Sequence, residues 1–228
     1  MIAEPLARRA NAEERISGRF WQGRFRSVKL CDDAAVLAGS VYVDLNVIRA
    51  GLAETPEDSD FTSAQRRIQA LAALAKAAEC DANEEQPHQP DASSAAASPA
   101  DDAPDAWLAP LPLDEANAEP GLAASACPAR CSDRGFLPMP VEHYLELVDW
   151  TGRHLAGGKR GAIPAHLAPI LERLRIAEDD WLQVVGNFGR LFYRVAGGPT
   201  SVSRQRTRLG RRFRPGGARL LGAASSPS

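Results

Sequence analysis

Histidine is scarce in this chain, with His88, His143, His154 and His166 the four copies among 228 residues. No two are separated by a single residue, so no strand carries two imidazoles on one face to hold a divalent cation. His143 and His154 fall at opposite ends of one expected helix, too far apart to share an ion. His88 reads as solvated and His166 as a surface or capping residue. Cysteine is as sparse: Cys31, Cys80, Cys127 and Cys131 show no zinc-ribbon pairing, and Cys127-Pro-Ala-Arg-Cys131 lacks a second pair. No metal ligand is assigned. Reduced thiols, and with them a cytoplasmic location, are the expectation. No apolar run approaches the ~20 residues that span a bilayer, which excludes a membrane-crossing helix. The opening MIAEPLARRANAEER also lacks the apolar core of a signal peptide.

The net charge of −2 conceals a strong asymmetry. Acids crowd Glu54 to Glu119, whereas Arg204 to Arg219 holds seven arginines and no acid. The overall balance says nothing of nucleic acid, but the basic strip does. Between positions 81 and 131 the chain is dominated by Ala, Pro, Ser, Asp and Glu. Such a segment buries too little apolar surface to offset its chain entropy, and a disordered linker is expected. Within it, Trp107-Leu108 and Leu111-Pro-Leu113 form an apolar island suited to docking as an extended peptide. Residues 214–228 read as a flexible tail.

Ile2 to Glu14 has the pattern of a short helix with Leu6 and Ala10 inward. From Arg19 to Lys29 the period changes to two, the mark of a strand with Trp21 and Phe25 on its core face. Its other face offers Arg24 and Arg26 to solvent or to DNA. Thr62-Ser-Ala-Gln65 is a capping box for a helix running to about Ala78, with Ile68, Leu71, Ala75 and Ala78 as its apolar stripe and Arg66-Arg67 as a basic flank. Later helices are expected from Pro140 to about His154, from Pro164 to Leu174, and from Trp181 to Tyr193. A last one runs from Val202 to about Phe213, capped by Thr200.

One stretch dominates the rest: Asp32 to Gly51, DDAAVLAGSVYVDLNVIRAG. Asp32 or Asp33 is a natural N-cap, and Arg49 followed by Gly51 is a natural helix end. Leu37, Val41, Leu45, Ile48 and Leu52 make one stripe, and Val36, Val43 and Val47 a second on the other side, so the helix is expected between packed layers. Tyr42, Asn46 and Arg49 share a narrow face between the stripes. Arginine binds phosphate bidentately, asparagine can hold a phosphate or ribose oxygen, and a tyrosine can be a nucleophile once its phenol is activated. A semi-buried helix tyrosine with a capped hydroxyl fits the same pattern.

YVDLNVIRAG, preceded by FWQGRFRS, resembles the second half of the REP-associated tyrosine transposases, in the single-tyrosine HUH superfamily that moves single-stranded DNA. Their motif sets an asparagine four residues after the tyrosine, then proline, a branched residue, Lys or Arg, any residue and glycine. Tyr42, Asn46, Ile48, Arg49 and Gly51 match it, and Val47 stands where proline is usual. The second half is similar to the C-terminal extension of longer members, with Asp149 to Arg153, Lys159 to Pro164 and Asn187 to Gly189 in the same order. The resemblance implies that Tyr42 attacks a scissile phosphate to form a 5′-phosphotyrosine link. It also implies Mg or Mn held by two histidines upstream of the strand that Phe20 to Lys29 resembles. This chain has no such pair, so the expectation is an N-terminally truncated, incomplete enzyme that binds no cofactor of its own.

The expected fold class is therefore α+β and mostly helical. Residues 1–80 would be the remnant of a ferredoxin-like HUH transposase domain, followed by the linker at 81–131 and a helical C-terminal domain at 132–213. The expected function is single-strand cleavage and transfer by a transposase, with a non-catalytic DNA-binding protein and a helical protein with a solvated arginine tail as the rivals. The DNA-binding residues would be Arg24, Arg26, Asn46 and Arg49, together with Arg204, Arg206, Arg208, Arg211 and Arg212. The partner would be single-stranded or hairpin DNA. A homodimer stays open, and no membrane is involved.

Overall fold

Asp32 starts the helix about which the molecule packs. Its extended backbone lets one carboxylate oxygen accept from the amide of Ala35 at 3.0 Å, the N-cap bond that satisfies a first-turn donor. The other oxygen accepts from the amide of Gly198 at 2.7 Å, tying this helix start to the far end of the chain. The computed structural model describes residues 3–21, 27–83, 103–113, 122–125, 127–156, 166, 168–209 and 217–222. In order, these give α1 (Ala3–Glu13), β1 (Lys29–Leu30), α2 (Asp33–Asp44), α3 (Asn46–Arg49) and α4 (Ser63–Asn83). There follow α5 (Val141–Leu155), α6 (Ala168–Arg173), α7 (Glu178–Leu191), β2 (Val195–Ala196), α8 (Pro199–Leu209) and a 3₁₀ turn over Ala218–Leu220. The protein is mostly helical, with one small parallel sheet of β1 and β2.

The tyrosine helix is one expected rod broken in two at Leu45 into α2 and α3. It ends as the glycine predicts. Gly51 adopts φ +70, its amide reaches the carbonyl of Ile48, and the amide of Leu52 reaches that of Val47. These two bonds form a Schellman cap, which needs a left-handed residue and hence favours glycine. Of the first stripe, Leu37, Val41 and Leu45 are buried, Ile48 packs against the core, and Leu52 is exposed. The second stripe is not buried between layers. Val36 and Val47 are half-buried and Val43 is 61% exposed, because no described element covers Val43.

The core side of α2 lies against α7 and α5. One cluster unites Leu37, Val41 and Leu45 with Tyr144, Leu147 and Val148 of α5, and with Trp181, Val184, Val185 and Phe188 of α7. Residues from 1–80 and from 132–213 thus share a single core. The indole of Trp181 donates to the hydroxyl of Thr151 at 3.0 Å, locking α7 to α5. The segment expected to be a linker contributes to the same cluster. Leu111 is buried, and the amides of Leu137 and Leu113 donate to the carbonyls of Leu137's partner Leu111 and of Leu137 at 2.9 and 2.7 Å. The apolar island thus docks through Leu111 in a short parallel bridge, while Trp107 stays exposed. Gly135 is required there, since a Cβ would collide with the carbonyl of Pro112.

A buried polar knot joins three helices. Asp44, 3% exposed, accepts from the hydroxyl of Tyr144 at 2.7 Å, from the amide of Ser63 at 3.1 Å and from the hydroxyl of Ser63. Burial, and then the Asp44 carboxylate, push the Tyr144 phenol well above its ordinary range, so it stays a donor. Thr62 caps α4 by accepting from the amide of Gln65 at 3.2 Å. The capping box is only half formed, because the Gln65 amide group turns instead to the Glu57 carbonyl and to Asp60. The inward face of α4 is Ala64, Arg67 and Ala70, while Ala75 and Ala78 of the expected stripe are exposed. Arg67 is no basic flank: it is buried, donates to the carbonyl of Ala109 at 2.9 Å, and its pKa is lowered by desolvation.

Two further expectations change. The strand expected over Arg19 to Lys29 is, among the described residues, reduced to its very end. Regular pairing starts at Lys29, because β2 offers only Val195 and Ala196 as partners. Trp21, expected inward, is 47% exposed and packs edge-on against Phe20. The last helix starts at Pro199, whose fixed φ suits a first helical position, so Thr200 lies inside α8 rather than capping it.

Candidate functional site

Tyr42, Asn46 and Arg49 do come together, on the wall of an open groove of about 1140 Å³. Its walls are α2 and α3, the turn at Phe61 to Ser63, the approach to β1 at Val28 and Leu30, and the end of α7 from Gly186 to Tyr193. Val43 of α2 and Val47 of α3 line it, whereas Val36 of the same stripe packs against the core.

The Asn187-Phe-Gly189 run meets the tyrosine here, 145 positions on in the sequence. The Phe188 ring stacks on Tyr42 with centres 5.4 Å apart and planes at 29°. Gly189 makes room for the phenol, since a Cβ there would lie 2.9 Å from the Tyr42 hydroxyl. Asn187 breaks the helical backbone of α7 at φ −125 and ψ 17, and its side chain bonds back to the carbonyl of Gln183. One residue before the break, the carbonyl of Gly186 accepts from the guanidinium of Arg49 at 2.7 Å. The same guanidinium lies 5.3 Å from the Tyr42 ring centre, a cation–π distance.

Among the described residues, three charged side chains line the groove: Asp44, Arg49 and Arg190. Asp44 is buried with its oxygens committed to Ser63 and Tyr144, so the exposed charge is that of two arginines. The apolar side chains exposed on the rim are Leu30, Val43, Phe61 and Tyr193. Arg190, Asn187, Phe61 and Tyr193 were not singled out from the sequence as site residues. Phe61 carried a usable signal, as a lone aromatic ending the polar run Glu54 to Asp60.

The other expected DNA contacts are not gathered here. Arg204 is exposed on α8, away from the groove lining. Arg206 and Arg208 lie on α8 with side chains outside the description, and Arg24, Arg26, Arg211 and Arg212 lie outside the described residues. The divalent ion that the resemblance implies does not fit the groove. Among the described residues no histidine lines it, and the one carboxylate, that of Asp44, is already saturated. Among the described residues, no three His, Cys, Asp or Glu side chains gather where an ion could meet them. His143 and His166 approach each other at 5.7 Å between ring centres, with Glu146 bonded to His166, on the surface of another part of the molecule. Nor is any described helix long and apolar enough to cross a membrane. The chain matches no known protein family, no curated protein and no solved structure.

Proposed function

We propose that this protein is a DNA-binding relative of the REP-associated tyrosine transposases, and that it holds single-stranded DNA in the groove beside Tyr42. The observation that carries the reading is the convergence of Tyr42, Asn46, Arg49 and Arg190 on one groove whose exposed charge, among the described residues, is positive. A positive track set among aromatic rings suits a strand with its phosphates and bases both accessible. The kinship brings with it a ferredoxin-like origin for residues 1–80, with β1 as the strand leading into the tyrosine helix, and a cytoplasmic setting. The arginines from Arg204 to Arg219 add phosphate contacts outside the groove.

Strand cleavage is not part of the proposal. A phenol needs a base or a metal to attack phosphate, and the Asp44 carboxylate, the one carboxylate among the groove's described residues, is engaged elsewhere. Tyr42 instead stacks on Phe188 and braces Arg49. The test is fluorescence anisotropy with single-stranded and duplex oligonucleotides of one sequence, followed by denaturing electrophoresis in Mg²⁺ or Mn²⁺. Preference for the single strand with no covalent adduct is expected. Equal affinity for duplex would remove the proposal, and an adduct lost in Tyr42→Phe would restore the tyrosine as nucleophile.

A further inference from the structure

Among the described residues, Phe61 is the most conspicuous misfit. Its side chain is 91% exposed, and its backbone sits at φ +65, where a bulky residue is strained. Folding alone does not ask for either feature. A glycine or asparagine would relieve the backbone, and a polar residue would suit the water.

The neighbours hold this arrangement firmly. Ser59 and Thr62 are buried, and their hydroxyls are 2.7 Å apart. The Thr62 hydroxyl donates to the carbonyl of Ser59 at 2.8 Å, and Gln65 clasps the turn through Glu57 and Asp60. The amide of Ser63 is fixed by Asp44. A rigid, hydrogen-bonded turn therefore thrusts one aromatic ring outward beside the groove. Tyr193 is a second ring on the same groove, contributed by a different element. It follows Phe192, whose extended backbone at φ −116 and ψ 121 ends α7, and it is 61% exposed.

We infer that Phe61 and Tyr193 are base-stacking residues of the groove, receiving unpaired nucleobases while Arg49 and Arg190 face the phosphates. This rests on the single-strand reading above and assigns the part of the ligand that phosphate contacts leave unread. Charge decides between possible occupants. An apolar protein segment would match the rings but not a groove whose exposed charges are both arginines, whereas a nucleic-acid strand carries a π-face and an anion in every unit. The hydrogen-bonded turn fixes the backbone that carries the ring, so less freedom is lost when a base stacks on it.

The test uses the full chain and a fluorescent oligothymidylate, with inorganic polyphosphate as an anion that has no bases. Phe61→Gly removes the ring and relaxes the backbone, so its thermal midpoint should equal or exceed that of the wild type. It should bind oligothymidylate about 5- to 150-fold more weakly, the range for one stacked base, with an unchanged salt slope. Its affinity for polyphosphate should be unaltered. Phe61→Trp should retain binding, and Tyr193→Ala should show a loss of the same kind. Wild-type affinity in Phe61→Gly would overturn the stacking role while leaving the groove reading standing. A wild type that binds no oligothymidylate would overturn both. Self-association of the wild type in sedimentation, lost in Phe61→Gly, would reassign the ring to a second copy of the chain and overturn the inference.

Discussion

Replacing Asp44 with alanine should be far more damaging than an aspartate-to-alanine change normally is. The carboxylate is 3% exposed and accepts from the Tyr144 hydroxyl, the Ser63 amide and the Ser63 hydroxyl. Without it, a fully buried phenol has no acceptor, at about 1–3 kcal/mol, and the first turn of α4 loses a bond worth ~1 kcal/mol. The expected loss for Asp44→Ala is about 2–4 kcal/mol. Tyr144→Phe alone removes a hydrogen bond to a charged acceptor and should cost about 1.5–3 kcal/mol. Combining the two removes the orphaned hydroxyl, so the double variant should be less destabilised than the sum by about 1–2 kcal/mol. Urea unfolding followed by tryptophan fluorescence measures all four proteins, with an unchanged denaturant slope as the check on comparability. Because Asp44 and Tyr144 lie on opposite sides of the 81–131 segment, the coupling also reports whether the two halves unfold together. Coupling below ~0.5 kcal/mol, or two separate transitions in the wild type, would refute the shared core.

Two further perturbations probe the same architecture. Gly189→Ala places a methyl 2.9 Å from the Tyr42 hydroxyl and should destabilise by about 1–3 kcal/mol, while Tyr42→Phe in that background should recover part of the loss in a thermal melt. The raised pKa of Tyr144 means that the folded state holds its phenolic proton more tightly than the unfolded chain does. Its contribution is complete below pH ~10 and declines as pH rises beyond that, so above pH ~10 the wild-type midpoint should fall more steeply than that of Tyr144→Phe. Parallel falls would assign the alkaline loss to other groups.

What the sequence disclosed was governed by local chemistry. The Asp32 cap, the Gly51 stop and the buried stripe of Leu37, Val41 and Leu45 each depend on residues within a turn or two of themselves. The shared face of Tyr42, Asn46 and Arg49 follows from helical spacing in the same way, surviving the break at Leu45. Hidden features depend on distant partners. Arg67 looks like any surface arginine until the Ala109 carbonyl accepts from it, and Val43 stays exposed because no described element lies over it. The low apolar content of 81–131 predicts a disordered linker, and it could not reveal that Leu111 packs into the core shared with α5 and α7. Asn187 to Gly189 gained a meaning only when α7 laid it against Tyr42.

The groove itself is best judged by its salt dependence. Arg49→Ala with Arg190→Ala deletes both exposed charges among the groove's described residues, so anisotropy titrations against oligothymidylate at several salt concentrations read their contribution directly. If both arginines face phosphates, affinity should drop and the slope of log K against log salt should flatten by about 1.4, from ~0.7 per single-strand contact. A slope identical to that of the wild type would place the DNA elsewhere on the protein and contradict the account.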